Sequence, residues 1–120
     1  MVVVRIAVID DEKGILLSVS LFLELEGHTP LTFSSPLEAL KSINGENVDL
    51  IILDMRMPEM NGERVANLLK ANPETRNIPL ILFSAHESLP EVAERVGAQG
   101  ILEKPFHFEK LNDLINSFLQ

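Results

Sequence analysis

Three apolar runs constrain this chain more than anything else in it: Val2 to Ile9, Asp49 to Leu53 and Ile78 to Phe83. Each is too short for a helix, and each is nearly continuous in Val, Ile and Leu instead of alternating with polar residues. Such segments suit strands buried on both faces of a parallel sheet. Two shorter candidates, His28 to Phe33 and Gly100 to Leu102, bring the strands to five. Helix-like stretches follow them in turn, at Glu12 to Glu26, Pro36 to Ile43, Gly62 to Ala71, Leu89 to Val96 and His107 to Leu119. Gly27, Asn44-Gly45, Asn72 and Gly97 are the expected stops of the first four, and Ser35-Pro36 is a helix N-cap followed by a first-turn proline. Five βα units in this order predict an α/β fold, a doubly wound five-stranded parallel sheet with right-handed crossovers. At 120 residues the chain, 1–120, reads as one domain, with no repeats, linkers or low-complexity tracts.

Parallel strands of an open sheet deliver their carboxyl ends to one edge, where ligands bind. Four such ends carry polar groups here: Asp10-Asp11, Asp54, Ser84 and Lys104. Three carboxylates gathered at one edge repel one another unless a cation sits among them. The pattern therefore suggests a hard, oxygen-ligated divalent metal, with Lys104 and Ser84 available to a second, anionic ligand.

A net charge of −8 and a pI near 4.8 leave no basic stripe for nucleic acid or for an anionic membrane surface. With no cysteine, disulfides, thiolate catalysis and cysteine-bound zinc are excluded. The opening apolar run is short, is broken by Arg5 and ends in acids, so it does not read as a signal peptide. Nothing approaches the roughly 20 apolar residues of a membrane span. The expectation is a soluble cytoplasmic protein.

The first helix carries more apolar residues than one buried stripe needs. Ile15, Val19, Phe22 and Leu23 form a core-facing arc, bordered by Leu16, while Leu17, Leu21 and Leu25 fall on another side of the helical wheel. That second stripe either packs on the C-terminal helix or stays exposed to dock a partner helix. Pro58 and Gly62 bracket a loop beside Asp54 and read as turn residues, a reading compatible with shaping the site at Asp54. His28 reads as a strand-start surface residue and His107 as a helix-start residue, and no histidine pair has metal-ligand spacing.

Asp10-Asp11-Glu12, Asp54-Met55-Arg56-Met57-Pro58 with Asn61-Gly62, Ser84-Ala85, Gly97-Ala98 and Lys104-Pro105-Phe106 resemble, in order and over the whole chain, the receiver domain of two-component response regulators. The resemblance implies a flavodoxin-like, CheY-like fold and a phosphoacceptor switch in a His-to-Asp phosphorelay. Asp54 would be the phosphoacceptor. Asp10, Asp11, Asp54 and the backbone carbonyl of Met55 would hold Mg²⁺. Lys104 would pair with Asp54 and then with the phosphoryl oxygens, and the Ser84 hydroxyl would hydrogen-bond the attached phosphoryl group. A cis Lys104-Pro105 bond would aim the lysine inward. Arg56 and His86 occupy places that in this family border the phosphoryl group, and either modulate its hydrolysis or are solvated loop positions. The implied partners are a histidine kinase or histidine phosphotransfer protein as donor, and a downstream protein target. The receiver itself would catalyse much of the transfer and the slow hydrolysis, without being an enzyme in the ordinary sense.

The chain departs from the family pattern at Ile101, where receivers commonly carry a Tyr or Phe that swings inward on activation. Gln99-Gly100 stands where paired acids often support a dimer, so a monomer or weak dimer is expected. No residues for an output domain follow Gln120, which reads as a free-standing receiver or as a fragment of a longer regulator. Two other readings compete: a receiver-like module that binds without phosphorylation, and a metal-dependent phosphohydrolase with an aspartyl nucleophile. The second would want an acid two residues after the nucleophile, where Arg56 stands. A dinucleotide site lacks its glycine-rich loop after the first strand.

Overall fold

In the computed structural model, residues 4–85 and 89–118 are described. Five strands, β1 (Arg5–Ile9), β2 (Thr29–Phe33), β3 (Leu50–Asp54), β4 (Leu80–Ser84) and β5 (Gly100–Glu103), alternate with five helices, α1 (Lys13–Leu25), α2 (Pro36–Ser42), α3 (Gly62–Ala71), α4 (Leu89–Val96) and α5 (Phe108–Phe118). All strand pairs are parallel, in the order β2-β1-β3-β4-β5. This is the doubly wound sheet the apolar runs predict. Strand order reverses between β1 and β3, so the residues that end those two strands flank the crevice where such sheets bind ligands.

The period of two along each strand splits the core into two layers. Ala7, Ile9, Ile51, Leu53, Leu80 and Leu82 meet α2, α3 and α4 on one face. Ile6, Val8, Leu50, Ile52, Ile81 and Phe83 meet Leu16, Val19 and Leu23 of α1 and Leu111 and Ile115 of α5 on the other. Every residue of β3 and β4 is buried, as continuous apolar runs require of central strands.

Capping follows the sequence in part. The Ser35 hydroxyl accepts from the Glu38 N–H at 3.4 Å with Pro36 behind it, and the Asn61 side chain accepts from the Arg64 N–H at 2.9 Å. Each such cap stabilises its helix by about 1 kcal/mol. Gly27 and Gly97 take φ of 86° and 73° and stop α1 and α4 as expected. Asn72 and Ile43 end their helices with extended backbone instead, so the two asparagine stops do not take the left-handed form.

One open alternative is decided and one expectation is corrected. Leu17, Leu21 and Leu25 do not pack on α5: they are 61%, 53% and 86% exposed. The buried stripe of α1 is Leu16, Val19 and Leu23, with Ile15 and Phe22 half-buried beside it, and α5 meets this stripe. His28 is buried, its Nδ1 accepting from the Val4 N–H at 3.3 Å, because the turn after Gly27 folds the ring back onto the start of β1. His107 does start a helix, its carbonyl accepting from the N–H groups of Lys110 and Leu111.

Candidate functional site

The strand ends converge as the sequence predicts. Asp10 follows β1 and is fully buried, Asp54 closes β3 at 2% exposure, and Ser84 closes β4 at 1%. Asp54 lies opposite Phe83, so Ser84 is one step beyond it on the neighbouring strand. Asp10, Asp11 and Asp54 each bring a carboxylate oxygen within 4.8 Å of the others, Asp11 from the exposed side. Lys104 leaves β5 through a backbone bond from its N–H to the Ser84 carbonyl, 3.0 Å, and is joined to Pro105 by a cis peptide bond.

The lysine is shared among the acids. Its ammonium donates to Asp10 Oδ2 at 3.1 Å and lies 3.5 Å from Asp54 Oδ1 and 3.8 Å from Glu12 Oε1. The closest partner is therefore Asp10, where the resemblance implies Asp54. Burial works against the charge on Lys104, but the bond and attraction of Asp10, joined by Asp54 and Glu12, raise its pKa above the ordinary value. Asp54 goes the other way from a typical surface acid. Burial, reinforced by the negative charge of Asp10 and weakly of Asp11, pushes its pKa from 3.8 up to about 6, against the pull of Lys104 and a bond from the Arg56 N–H. One cation among four carboxylates leaves this pocket short of positive charge, and its donors are all hard oxygens. That is the donor set a small divalent cation takes.

The loop after β3 is shaped by close packing. The Met55 N–H donates to the Phe83 carbonyl at 3.3 Å, and the Met55 carbonyl accepts from Gly62 N–H at 3.1 Å. A Cβ at residue 62 would lie 2.5 Å from the Asp54 carbonyl oxygen and 2.6 Å from the Met55 Cα. Gly62 is thus required by the approach of α3 to the end of β3, not by turn conformation as its sequence context suggests. The Arg56 side chain is exposed on this loop, and His86 lies outside the described residues. Ile101, opposite Leu82, is half-buried against the layer formed by α2, α3 and α4.

The model of the response regulator receiver domain matches residues 6–116. The chain belongs to this family. It is a receiver, hence a signalling domain of two-component systems. This receiver is 35% identical over 119 residues to the transcriptional regulatory protein GlrR of Escherichia coli K12, a match covering 97% of the chain and 26% of that protein. It is 29% identical over 117 residues to sporulation initiation phosphotransferase F of Bacillus subtilis 168, covering 96% of the chain and 93% of the relative. The chain spans about a quarter of the length of GlrR. Among solved structures, chemotaxis protein CheY4 of Vibrio cholerae superposes with a TM-score of 0.89 at 26% identity, over 98% of this chain and 99% of that one. The receiver domain of a sensor histidine kinase of Pseudomonas aeruginosa PAO1, solved with a magnesium ion coordinated in its active-site cleft, shares the fold with a TM-score of 0.86 at 21% identity, over 98% of each chain. Among the described residues of this receiver no helix is long and apolar enough to cross a membrane.

Two residues near the lysine have no role in the sequence reading. Glu12 flanks Lys104, and its position directly after Asp10-Asp11 is the only signal it gives; its N–H also donates to Asp10 Oδ1 at 2.9 Å. The Phe83 ring lies under the lysine, 4.5 Å from ammonium to ring centroid. In the sequence Phe83 is one more apolar residue of a buried run.

Proposed function

We propose that this receiver is a phosphoacceptor switch of a His-to-Asp phosphorelay, that residues 1–120 act as one unit, and that Asp54 takes the phosphoryl group. The observation that carries the reading is the Asp54 carboxylate, almost wholly buried at the sheet's carboxyl edge with Lys104 3.5 Å away and two further acids around it. A carboxylate oxygen of Asp54 attacks phosphorus while the bond to the donor's imidazole nitrogen breaks, and the electron pair of that bond leaves with the nitrogen. Both partners are negatively charged, so the residues around Asp54 must offset charge and hold donor and acceptor in line. Lys104 exchanges its carboxylate partners for phosphoryl oxygens, and the Ser84 hydroxyl donates to the attached group.

Asp10, Asp11 and Asp54 fit Mg²⁺, with oxygen donors only and excess negative charge to offset, and the Met55 carbonyl would add a fourth oxygen. When bound, the ion neutralises charge on the acids and on the phosphoryl oxygens. Arg56 and His86, two residues beyond Asp54 and Ser84, modulate hydrolysis of the phosphoaspartate, and output runs through Ser84 and Lys104. Ile101 stands at the switch position without an aromatic ring.

The donor is a histidine kinase or histidine phosphotransfer protein, and its helices dock on Leu17, Leu21 and Leu25. Their exposure on the helix that starts beside Asp10 supports this. The phosphorylated receiver acts on a protein target as a monomer or weak dimer, in the cytoplasm. Leu21→Ser tests the docking face. It should cost no more than about 1 kcal/mol of stability, since Leu21 is more than half exposed and the change chiefly lowers helix propensity. Labelling by acetyl phosphate should be unchanged, while transfer from a phosphohistidine donor should slow about 10-fold, the effect of losing one interface anchor. Equal loss with both donors would place Leu21 in the catalytic machinery and contradict docking.

A further inference from the structure

We infer that the state of the acceptor pocket is relayed to the surface between α1 and α5 by four phenylalanine rings in series, Phe83, Phe106, Phe108 and Phe22. The inference deepens the acceptor reading and rests on it for its physiological trigger. The Phe83 ring is fully buried and lies 4.5 Å beneath the Lys104 ammonium. Its edge meets Phe106 at 5.2 Å between centroids and 75° between planes. Phe106 meets Phe108 edge-on at 5.7 Å and 89°, and Phe108 stacks on Phe22 of α1 at 4.7 Å and 14°. Phe108 is 38% exposed, so the series begins in the core and ends at solvent.

The starting point is one whose charge environment must change. Lys104 is held by Asp10, Asp54 and Glu12 together with the Phe83 ring. When phosphoryl oxygens take the ammonium, its position over the ring alters, and with it the attraction between cation and ring face. Edge-to-face pairs have preferred geometries, so a displaced ring displaces its neighbour instead of sliding freely past it. There is room for the movement: a largely apolar groove of about 390 Å³, open to solvent, adjoins the series between Ile15, Ala85, Lys104, Pro105, Phe106 and Phe108. Among the described residues the opposite layer has no comparable series. Of the chain's six phenylalanines Phe33 alone packs there, and β5 presents Ile101 to it.

Fluorine NMR of the full chain labelled with para-fluorophenylalanine reads every ring separately, with resonances assigned by single Phe→Leu substitutions. Two triggers are applied, Lys104→Met and beryllofluoride with Mg²⁺. Both should move the Phe83, Phe106, Phe108 and Phe22 signals by more than a linewidth and leave Phe33 and Phe118 in place. In Phe106→Leu the response should stop at Phe83. In Phe108→Leu, at a partly exposed position and checked for an unchanged fold by the Phe33 and Phe118 signals, Phe106 should respond and Phe22 should not. Stationary Phe108 and Phe22 signals in the unmodified chain, or an undiminished Phe22 response in either variant, would overturn the relay. Bound beryllofluoride has its own fluorine signals. Their absence would count against the acceptor reading, while the Lys104→Met arm still decides the relay.

Discussion

Asp54→Asn should make the metal-free protein more stable at neutral pH, by about 1–3 kcal/mol. The sign follows from burial. Asp54 has a pKa of about 6 in the folded chain against an ordinary 3.8, so between those values the folded state holds a proton that the unfolded state has lost. Stability from this group therefore falls as pH rises through that window, and above it the fold carries the full cost of a buried carboxylate. Asparagine keeps the size and an acceptor for the Arg56 N–H but removes the charge. Urea denaturation at several pH values checks this: the gain should be absent near pH 3.8, grow through the window and level off above about 6. A gain independent of pH, or a loss at neutral pH, would contradict the origin assigned to the shift. Functional sites commonly trade stability for reactivity in this way.

Gly62→Ala should be the most damaging single-methyl addition near the pocket. The new Cβ would meet the Asp54 carbonyl oxygen at 2.5 Å, the Met55 Cα at 2.6 Å and the Met55 sulfur at 2.8 Å. Only the sulfur belongs to a flexible side chain, so the start of α3 must retreat from the end of β3. The expected cost is about 1–3 kcal/mol, the range for overpacking a close-packed interior. Because Gly62 N–H holds the Met55 carbonyl, the same shift moves a proposed Mg²⁺ ligand, and Mg²⁺ affinity should drop as well. Gly14→Ala is the control. A Cβ there meets nothing within 4 Å, so Mg²⁺ affinity should stay near that of the parent and stability should hold or rise by up to about 1 kcal/mol, the helical gain of Ala over Gly.

β1, β3 and β4 were legible because short, continuous Val, Ile and Leu runs suit strands covered on both sides, while the half-exposed β2 and β5 and the five helices were legible from their alternation and from the Gly and Asn stops between them. Their ends were less so. β3 and β4 extend to Asp54 and Ser84 because neighbouring strands continue the ladder past the apolar residues, pairing Asp54 with Phe83 and Ser84 with Glu103. Convergence of Asp10, Asp11, Asp54 and Lys104 was legible too, since parallel strands place their ends on one edge. How the lysine divides itself was not: fractions of an ångström decide that Asp10 is its nearest partner and that Glu12 joins.

Helical periodicity showed two apolar stripes on α1 without saying which α5 would cover. That is set by Leu111 and Ile115 meeting the sheet-facing stripe, which leaves Leu17, Leu21 and Leu25 outside. His28 was misjudged, and the physical need for Gly62 was missed, for a related reason. Their roles come from backbone that approaches from elsewhere in the chain, Val4 for the first and Met55 for the second, and local residue type carries no record of it.

The central claim is that Asp54 accepts a phosphoryl group, and intact-mass spectrometry with peptide mapping after incubation with acetyl phosphate and Mg²⁺ tests it most directly. The expected result is one added phosphoryl group per chain, located on Asp54, lost on chelation of the metal before the donor is added and absent from Asp54→Asn. An unmodified chain under these conditions and with a phosphohistidine donor, or a phosphoryl group found on another residue, would contradict the account.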